Sequence, residues 1–184
     1  MRFHIKQGAA WLTNGGVIAY PTESVYGLGC DPLDQAAIKR LLAVKHRNES
    51  MGLILISDTF RRLEAFLEPM LEAQRIKLNK TWPGPVTWLI PAQPWVPDWL
   101  TGSHGTIAVR VTAHPVASAL CQAADMPIVS TSANISGRRP AKTALQVHRQ
   151  FDQSIDYIVP GRTGSLAKPT MIRDLVTDTV LRSA

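Results

Sequence analysis

Cysteine, charge and long apolar runs are all scarce in this 184-residue chain, and each scarcity excludes a class of protein. Cys30 and Cys121 stand far apart and outside any C-x-x-C pair, so neither a disulfide framework nor a zinc site is predicted, and two buried thiols are the simpler interpretation. Apolar runs such as residues 53–56 fall far short of the roughly 20 residues that a membrane helix needs. Because no apolar signal segment precedes Trp11, we expect a cytoplasmic protein without a membrane anchor.

The composition is that of a folded protein with a basic surface. Hydrophobic residues make up 45% of the chain and charged residues 18%, which argues against a wholly disordered or fibrous protein. A chain of this length can bury a core by itself, so we predict one domain over residues 1–184. Lysine and arginine number 20 against 14 acidic residues. This excess indicates an anionic partner, whether nucleotide or RNA, or merely a solubilising surface.

Segments with helix periodicity alternate with strand-like segments, which predicts a layered α/β domain. The predicted helices are 5–12, 35–45, 59–67, 69–79, 115–124 and 143–151, and the predicted strands are 17–20, 53–57, 86–90, 106–111, 128–130, 155–159, 171–175 and 180–182. Asp34 is expected to cap the second helix, Pro69 to lie in the first turn of the fourth, and Pro21 to end the first strand. No repeat, charge block or Gly/Ser linker divides the chain.

Common nucleotide-binding and nucleophile motifs do not occur in the sequence. GLGCDP at 27–32 lacks the third glycine of a dinucleotide fingerprint, and GRRPAKT at 137–143 has too few residues before its Lys-Thr pair for a Walker A loop. There is also no H-E-x-x-H and no G-x-S-x-G. Any ATP chemistry must therefore use a different kind of site.

Polar residues gather where predicted strands and helices end, which is where α/β sheets form ligand crevices. Thr22 follows the first strand, and Gly27 and Gly29 allow close backbone approach. Lys45 and Arg47 stand at the exit of a helix. These two cations either complement the helix dipole or bind a ligand anion, and the pattern leaves both possibilities open.

A charged residue inside a strand and a run of hydroxyls after another strand complete the candidate site. Arg110 interrupts the apolar strand TIAVRV, where a buried guanidinium needs an anion. That anion is either an acid of the chain, such as Asp174, or a carboxylate or phosphate of a ligand. Ser130, Ser132 and Asn134 in VSTSANISG can cradle phosphate oxygens, or they can form a local Asx or Ser/Thr turn.

Five segments stand in a fixed order: PTESVYGLGCD, KHR followed by GLILI, WPGPVT, AVRVTAHP and STSANISG. Their order and spacing, over residues 17–182, resemble the YrdC family of threonylcarbamoyl-AMP synthases in its short bacterial (TsaC) form. The resemblance implies a twisted mixed sheet, flanked by helices, around a basic concave cavity. It also implies a nucleotidyltransferase that converts L-threonine, bicarbonate or carbon dioxide, and Mg²⁺-bound ATP into threonylcarbamoyl-AMP and diphosphate. That product serves the threonylcarbamoyladenosine modification of tRNA beside the anticodon.

The resemblance assigns roles to individual residues. Thr22, Arg110 and Thr170 would bind threonine. Lys45 and Arg47 would act on the phosphate and carbamate region, as catalytic and nucleotide-binding residues. The other nucleotide-binding residues would be Thr106, Ser130, Ser132, Asn134 and Arg182. Positioning and charge neutralisation would dominate, with no metal held by the protein alone. The implied partners are the threonylcarbamoyl-transferring proteins TsaD, TsaB and TsaE, with direct tRNA binding left open.

Two departures and two alternatives qualify these expectations. Ile56 stands where some longer relatives carry a histidine, and the sequence has no counterpart of their extra C-terminal domain, so loops or a partner would have to close the cavity. The main alternative is a non-catalytic protein that binds double-stranded RNA or tRNA through basic residues such as Arg138 and Arg139, although no RNA-binding fold is recognised. Hydrogenase maturation factors, which make a carbamoyl adenylate with a similar domain, carry acylphosphatase-like and zinc-finger segments that this sequence lacks.

Overall fold

The computed structural model describes residues 1–167 and 169–183, which form one nine-stranded sheet with helices packed on it. The strands are β1 (Ile18–Pro21), β2 (Tyr26–Gly29), β3 (Ile54–Ser57), β4 (Val86–Pro91), β5 (Thr106–Val111), β6 (Ile128–Ser132), β7 (Tyr157–Ile158), β8 (Met171–Asp174) and β9 (Val180–Arg182). The α-helices are α1 (Arg2–Thr13), α2 (Gln35–Lys45), α3 (Arg61–Glu64), α4 (Glu72–Asn79), α5 (Asp98–Thr101), α6 (Pro115–Ala124) and α7 (Ala144–Phe151). Short 3-10 turns cover Glu49–Met51, Gly102–His104 and Asp152–Ser154. The predicted fold class is confirmed.

The sheet is mixed, and its strands are ordered β7-β1-β2-β6-β3-β5-β4-β8-β9. The pairs β7–β1, β3–β5 and β4–β8 are parallel, and the other five pairs are antiparallel. Because this order differs from chain order, residues far apart in sequence become neighbours. In the centre of the sheet, Ile54 of β3 lies opposite both Ala108 of β5 and Ser130 of β6.

Two apolar clusters cover opposite faces of the sheet, and strand residues are assigned to them by alternation. Ala19 and Leu55 belong to the cluster that includes α2 and α7. Ile18, Tyr20 and Ile56 belong to the cluster that includes α1 and α6. Successive side chains of a strand point to opposite faces of the sheet, so a single strand contributes side chains to both clusters.

Local signals define several of the helix starts. Asp34 accepts hydrogen bonds from the backbone N–H groups of Ala36 and Ala37 at 2.9 and 3.0 Å, so the predicted cap of α2 is confirmed. Thr143 caps α7, and Pro115 opens α6 at a position where its missing N–H costs nothing. Each polar cap contributes about 1 kcal/mol to helix stability.

Strand β2 was not predicted, because its glycines were interpreted only as positions of close backbone approach near a ligand crevice. The structure places β2 between β1 and β6. A Cβ atom added at Gly29 would lie 2.2 Å from the carbonyl oxygen of Val129. Gly29 is therefore needed for close packing of two strand backbones. Pro21 is the last residue of β1, as predicted, although it still pairs with Tyr26 of β2.

The two helices predicted between β3 and β4 are shorter than expected. Within residues 59–67 only α3, four residues long, is helical. Helix α4 begins at Glu72, so Pro69 lies outside it. The backbone N–H of Leu71 donates to Gln74 Oε1 at 2.9 Å and fixes this start. Helical periodicity extended beyond the true ends because the flanking residues also pack on the core.

Candidate active site

A cavity of about 470 Å³ opens over the central strands of the sheet. Ile54, Ala108 and Ser130, which oppose each other in register, form part of its lining. Ile56 and Ile128, two residues further along the same strands, are buried in the cluster that includes α6. The cavity is thus a continuation of a helix-covered sheet face. Its volume is typical of small-molecule sites.

The cavity brings together residues from separate parts of the chain. The predicted site residues that line it are Thr22, Arg47, Thr106, Arg110, Ser130, Ser132, Thr170 and Arg182. Among the residues described, Lys45 and Asn134 are the predicted members that do not line it. Lys45 is buried and Asn134 is half-buried, and the side chains of both form hydrogen bonds within the chain.

Arg110 is buried and held on two sides. Its Nη1 donates to the hydroxyls of Thr87 and Thr170 at 3.2 and 3.0 Å, and its Nη2 donates to Glu23 Oε2 at 3.2 Å. The suggestion that Asp174 supplies the internal anion was wrong. The Asp174 carboxylate instead accepts hydrogen bonds from the backbone of the following turn.

Lys45 is buried where α2 meets the loop after β6. Its Nζ donates to the carbonyl oxygens of Ser132 and Asn134, the latter at 2.8 Å. The carbonyl of Lys45 accepts from the backbone N–H and the hydroxyl of Ser136, each at 2.9 Å. These acceptors belong to another segment, so the ammonium does not cap the last carbonyls of its own helix. Lys45 joins α2 to the cavity wall.

Arg47 lines the cavity, and part of its guanidinium makes no hydrogen bond with the described residues. Its Nη2 donates to the carbonyl of Gly52 at 3.1 Å. Its Nε, like the Nε of Arg110, is buried and has no hydrogen-bond partner in the part of the chain that the structure describes. A buried N–H without a partner is unfavourable. Both arginines also line the cavity.

In the loop after β6, one polar side chain stabilises the local turn and another lines the cavity. Ser132 Oγ donates to Asn134 Oδ1 at 2.6 Å, and Asn134 Nδ2 donates to the carbonyls of Ile135 and Arg138 at 3.0 and 2.9 Å. Asn134 therefore makes the local turn that the sequence left open. Ser132 lines the cavity and keeps acceptor capacity on its hydroxyl.

The electrostatics of the lining favour anions. Over residues 1–167 and 169–183, the lining includes Arg47, Arg110 and Arg182 but no aspartate or glutamate. Burial lowers the pKa values of Arg47 and Arg182 from the ordinary range, and the charge of Arg110 adds to the shift at Arg182. Guanidinium groups still stay protonated near neutral pH. The cavity therefore presents three partly desolvated cations to a ligand.

Comparison with known proteins decides the classification. Residues 10–184 match the family model Sua5/YciO/YrdC, whose description is "Telomere recombination". The chain belongs to the Sua5/YciO/YrdC family. The resemblance inferred from the five sequence segments is confirmed.

Relatives within the family carry a consistent name. The threonylcarbamoyl-AMP synthase of Nitrosococcus oceani is 53% identical over 180 residues, which cover 98% of this chain and 97% of the relative. The threonylcarbamoyl-AMP synthase of Halorhodospira halophila is 52% identical over 172 residues, covering 94% of this chain and 90% of that one. At this identity and coverage, the two relatives and this chain share one architecture along nearly their whole length.

Solved structures of the family share the fold. P. abyssi Sua5 complexed with L-threonine superposes with a TM-score of 0.92 at 33% identity and covers 99% of this chain. This chain spans only 54% of that Sua5 chain. E. coli YciO superposes with a TM-score of 0.84 at 29% identity, covering 99% of this chain and 89% of its own.

Sequence reasoning missed several residues at or near the cavity. Ser24, Met51 and His104 line it, and Glu23 lies behind Arg110. Glu23 had a usable signal, because an acidic residue directly after a buried strand is the kind of partner a buried arginine needs. Ile56, the position at which the resemblance implied a histidine in some longer relatives, is fully buried in the α6 cluster and makes a core contact in this chain.

Residues 1–167 and 169–183 contain neither a membrane-spanning helix nor a cluster of metal-ligating side chains. No helix in these ranges combines the length and apolarity needed to cross a membrane. No group of three or more His, Cys, Asp or Glu residues is placed so as to hold a metal ion.

Stability should depend on pH through Lys45. Burial, with a smaller contribution from the charge of Arg47, lowers the pKa of Lys45 from 10.5 to about 8. Between these values the unfolded chain holds a proton that the folded chain has released, so the free energy of unfolding rises with pH across this window. We expect wild type to gain about 1 to 3 kcal/mol relative to Lys45→Met between pH 8 and 10.5.

Urea unfolding of both proteins at several pH values measures this difference. Lys142→Met, which changes an exposed lysine, is the matched control and should track wild type throughout. A wild-type advantage over Lys45→Met that stays constant from pH 7 to 10.5 would show that Lys45 titrates as an ordinary lysine.

Proposed function

We propose that the chain is a threonylcarbamoyl-AMP synthase, which makes threonylcarbamoyl-AMP and diphosphate from L-threonine, bicarbonate or carbon dioxide, and ATP. The observation that carries the proposal is the cavity with Arg47, Arg110 and Arg182 in its lining and two buried guanidinium Nε donors facing no partner among the described residues. Such a cavity suits several anionic groups at once, and this reaction needs a carboxylate, a carbamate and a triphosphate together.

The threonine end of the site is assigned to Thr22, Arg110 and Thr170. Thr22 Oγ1 donates to the carbonyl of Val25 at 2.7 Å, so its lone pairs stay available to an ammonium or hydroxyl of the substrate. Arg110 would bind the substrate carboxylate. The relative P. abyssi Sua5 has been solved in complex with L-threonine, which supports this choice of substrate.

The chemistry requires two bond-forming steps. The threonine amine attacks the carbon of carbon dioxide and loses a proton, which gives a carbamate. With bicarbonate as the source, one water is released. A carbamate oxygen then attacks the α-phosphorus of ATP, the bond from that phosphorus to the bridging oxygen breaks, and diphosphate leaves. Each step joins two bound groups, so holding them in line would supply much of the rate enhancement.

Arg47 is the cation proposed to face the carbamate and α-phosphate. It lies at the cavity with its Nε free of a partner in the described chain, so it can neutralise charge that develops on the phosphoryl oxygens. Lys45 would act indirectly, by holding in place the loop after β6, because its ammonium is bound to carbonyls of that loop. Mg²⁺ would enter with ATP as part of the substrate.

The nucleotide end is proposed to lie along β5, β6 and β9. Its assigned residues are Thr106, Ser130, Ser132, Asn134 and Arg182. Arg182 is held by hydrogen bonds from its Nε and Nη2 to the carbonyl of Thr170, at 3.1 and 2.7 Å. It therefore links the proposed nucleotide and threonine ends. Asn134 would contribute by shaping the loop that presents Ser132.

Diphosphate release tests this proposal. The purified chain is incubated with Mg²⁺ and ATP, and diphosphate is measured with threonine and bicarbonate both present or with either one omitted. Release that needs all components is the expected result. Release that is independent of threonine would indicate another ATP-consuming reaction.

A variant of the loop after β6 separates the synthase from an RNA-binding protein. Ser132→Ala combined with Asn134→Ala removes one cavity hydroxyl and the turn that holds it, and we expect ATP affinity to fall about 10- to 100-fold, or 1 to 3 kcal/mol. Neutral groups release few counterions, so the salt dependence of any RNA binding should barely change.

Calorimetric titration with Mg²⁺ and ATP, beside RNA titrations at several salt concentrations, makes this comparison. Thr177→Ala, in the exposed turn after β8, is the control and should bind ATP as wild type does. Unchanged ATP affinity with lost RNA binding would favour the non-catalytic alternative.

The proposed activity also implies a cellular location and partner molecules. A labile adenylate made for tRNA should be consumed where tRNA is modified, so the cytoplasmic location and transfer through TsaD, TsaB and TsaE belong to this proposal. Direct tRNA binding would use the basic surface, to which Arg138 and Arg139 contribute.

A further inference from the structure

A buried carboxylate lies directly behind Arg110. The Glu23 side chain is 10% exposed, and its Oε2 accepts from Arg110 Nη2 at 3.2 Å. Thr22 and Ser24, its neighbours in the chain, both line the cavity, whereas Glu23 is not part of the lining that the described residues form. Glu23 therefore contacts the proposed substrate-binding guanidinium without lining the cavity itself.

The contacts of Arg110 define the plane of its guanidinium. Nη2 is held by Glu23, and Nη1 is held by the hydroxyls of Thr87 and Thr170. A guanidinium is a rigid planar fork, so contacts on two of its nitrogens fix the direction of the third. The third is Nε, the buried donor whose partner is absent from the described residues.

Glu23 is itself fixed from several directions. Its Oε1 accepts from Thr112 Oγ1 at 2.6 Å, and Thr112 Oγ1 in turn accepts from the backbone N–H of His114 at 3.1 Å. The carbonyl of Glu23 accepts from the backbone N–H of Leu166 at 3.2 Å. A carboxylate held in this way can act as a rigid support for a flexible arginine.

We propose that Glu23, supported by Thr112, is a positioning residue that holds Arg110 in the orientation that binds the carboxylate of the amino-acid substrate. This inference rests on the proposed function, because it takes threonine as the ligand of Arg110. Glu23 touches Arg110 and not the substrate, so its effect on the reaction passes through the guanidinium.

Two physical effects of Glu23 have opposite signs. As a nearby negative charge, it reduces the attraction of Arg110 for an anion, so its removal would tighten threonine binding. As an orienting contact, it restricts the arginine to one geometry, so its removal would weaken threonine binding. The burial of the pair and the three hydrogen bonds on Arg110 favour the second effect.

The first test is Glu23→Gln, which keeps side-chain size and removes the charge. We expect the Kd and KM for threonine to rise about 10- to 100-fold, while the Kd for ATP stays within about twofold of wild type. Calorimetry with each substrate and steady-state diphosphate release give these values. Glu64→Gln, which removes the carboxylate of a half-exposed ion pair with Arg75, is the control and should behave as wild type.

A second pair of variants covers the case in which Glu23→Gln fails to fold. Thr112→Val removes the hydroxyl that holds Glu23 and leaves both charges in place, whereas Thr112→Ser restores that hydroxyl. We expect Thr112→Val to raise the KM for threonine selectively, by about 10-fold, and Thr112→Ser to recover wild-type values.

The outcomes separate this inference from the proposed function. Unchanged or tighter threonine binding by folded Glu23→Gln, or equal effects of Thr112→Val on threonine and ATP, would overturn the positioning role while wild-type activity stands. Failure of wild type itself to bind threonine would overturn the proposed function and this inference with it.

Discussion

Arg110→Ala is expected to lose threonine-dependent diphosphate release by about 100- to 1000-fold, the largest effect of any single change proposed for this chain. The guanidinium is the proposed ligand of the threonine carboxylate, and alanine offers no donor in its place. Arg110 also pairs with buried Glu23, so the single variant leaves a buried carboxylate without its cation. Breaking such a pair costs about 3 to 5 kcal/mol of stability.

A double variant keeps this prediction testable despite that cost. Arg110→Met with Glu23→Gln removes both charges and leaves side chains of similar volume, so the fold should persist. Diphosphate release and thermal unfolding are measured on both variants. A folded double variant that turns over threonine near the wild-type rate would show that Arg110 is only one half of a structural ion pair.

Arg47→Ala is expected to lower kcat for diphosphate release by about 100-fold or more, with a smaller change in the KM for threonine. The arginine lies at the cavity, and its proposed partner is charge held or developed near the α-phosphate. Lys45→Ala should cause a comparable loss through displacement of the loop after β6, to which its ammonium is bound.

Arg40→Ala is the matched control for these two variants. Arg40 lies on α2, the helix that ends at Lys45, but its guanidinium is exposed and pairs with Asp156. Its loss should leave turnover unchanged, since surface ion pairs contribute little. Near-normal turnover by both Lys45→Ala and Arg47→Ala would show that these two cations serve the structure and not the reaction.

The sequence predicted most of the elements but not how they are arranged. Strands such as Thr106–Val111 and helices such as Pro115–Ala124 have the predicted bounds, because apolar periodicity and proline position are local signals. Strand β2 was missed because its Gly29 is required by backbone contact with β6, which depends on strand order. Strand order is a property of the whole chain and has no local pattern.

For the candidate site too, the sequence predicted individual residues but not their partners. The strand context of Arg110 predicted that it is buried and needs an anion, and the structure buries it. Its partner Glu23 lies 87 residues away in the chain, in the loop between β1 and β2, and only the folded arrangement brings this loop to Arg110. Likewise, two basic residues after a helix gave no indication that the Lys45 ammonium would bind the carbonyls of a distant loop.

The cavity draws its lining from residues between Thr22 and Arg182, and this breadth has a thermodynamic consequence. A ligand that bridges β5, β6 and β9 binds only when all of them are in place, so its binding free energy adds to the stability of the whole sheet. At 100 times its Kd, a substrate would contribute about 2.7 kcal/mol to the free energy of unfolding. Saturation with threonine and ATP should therefore slow amide hydrogen exchange in strands far from either molecule.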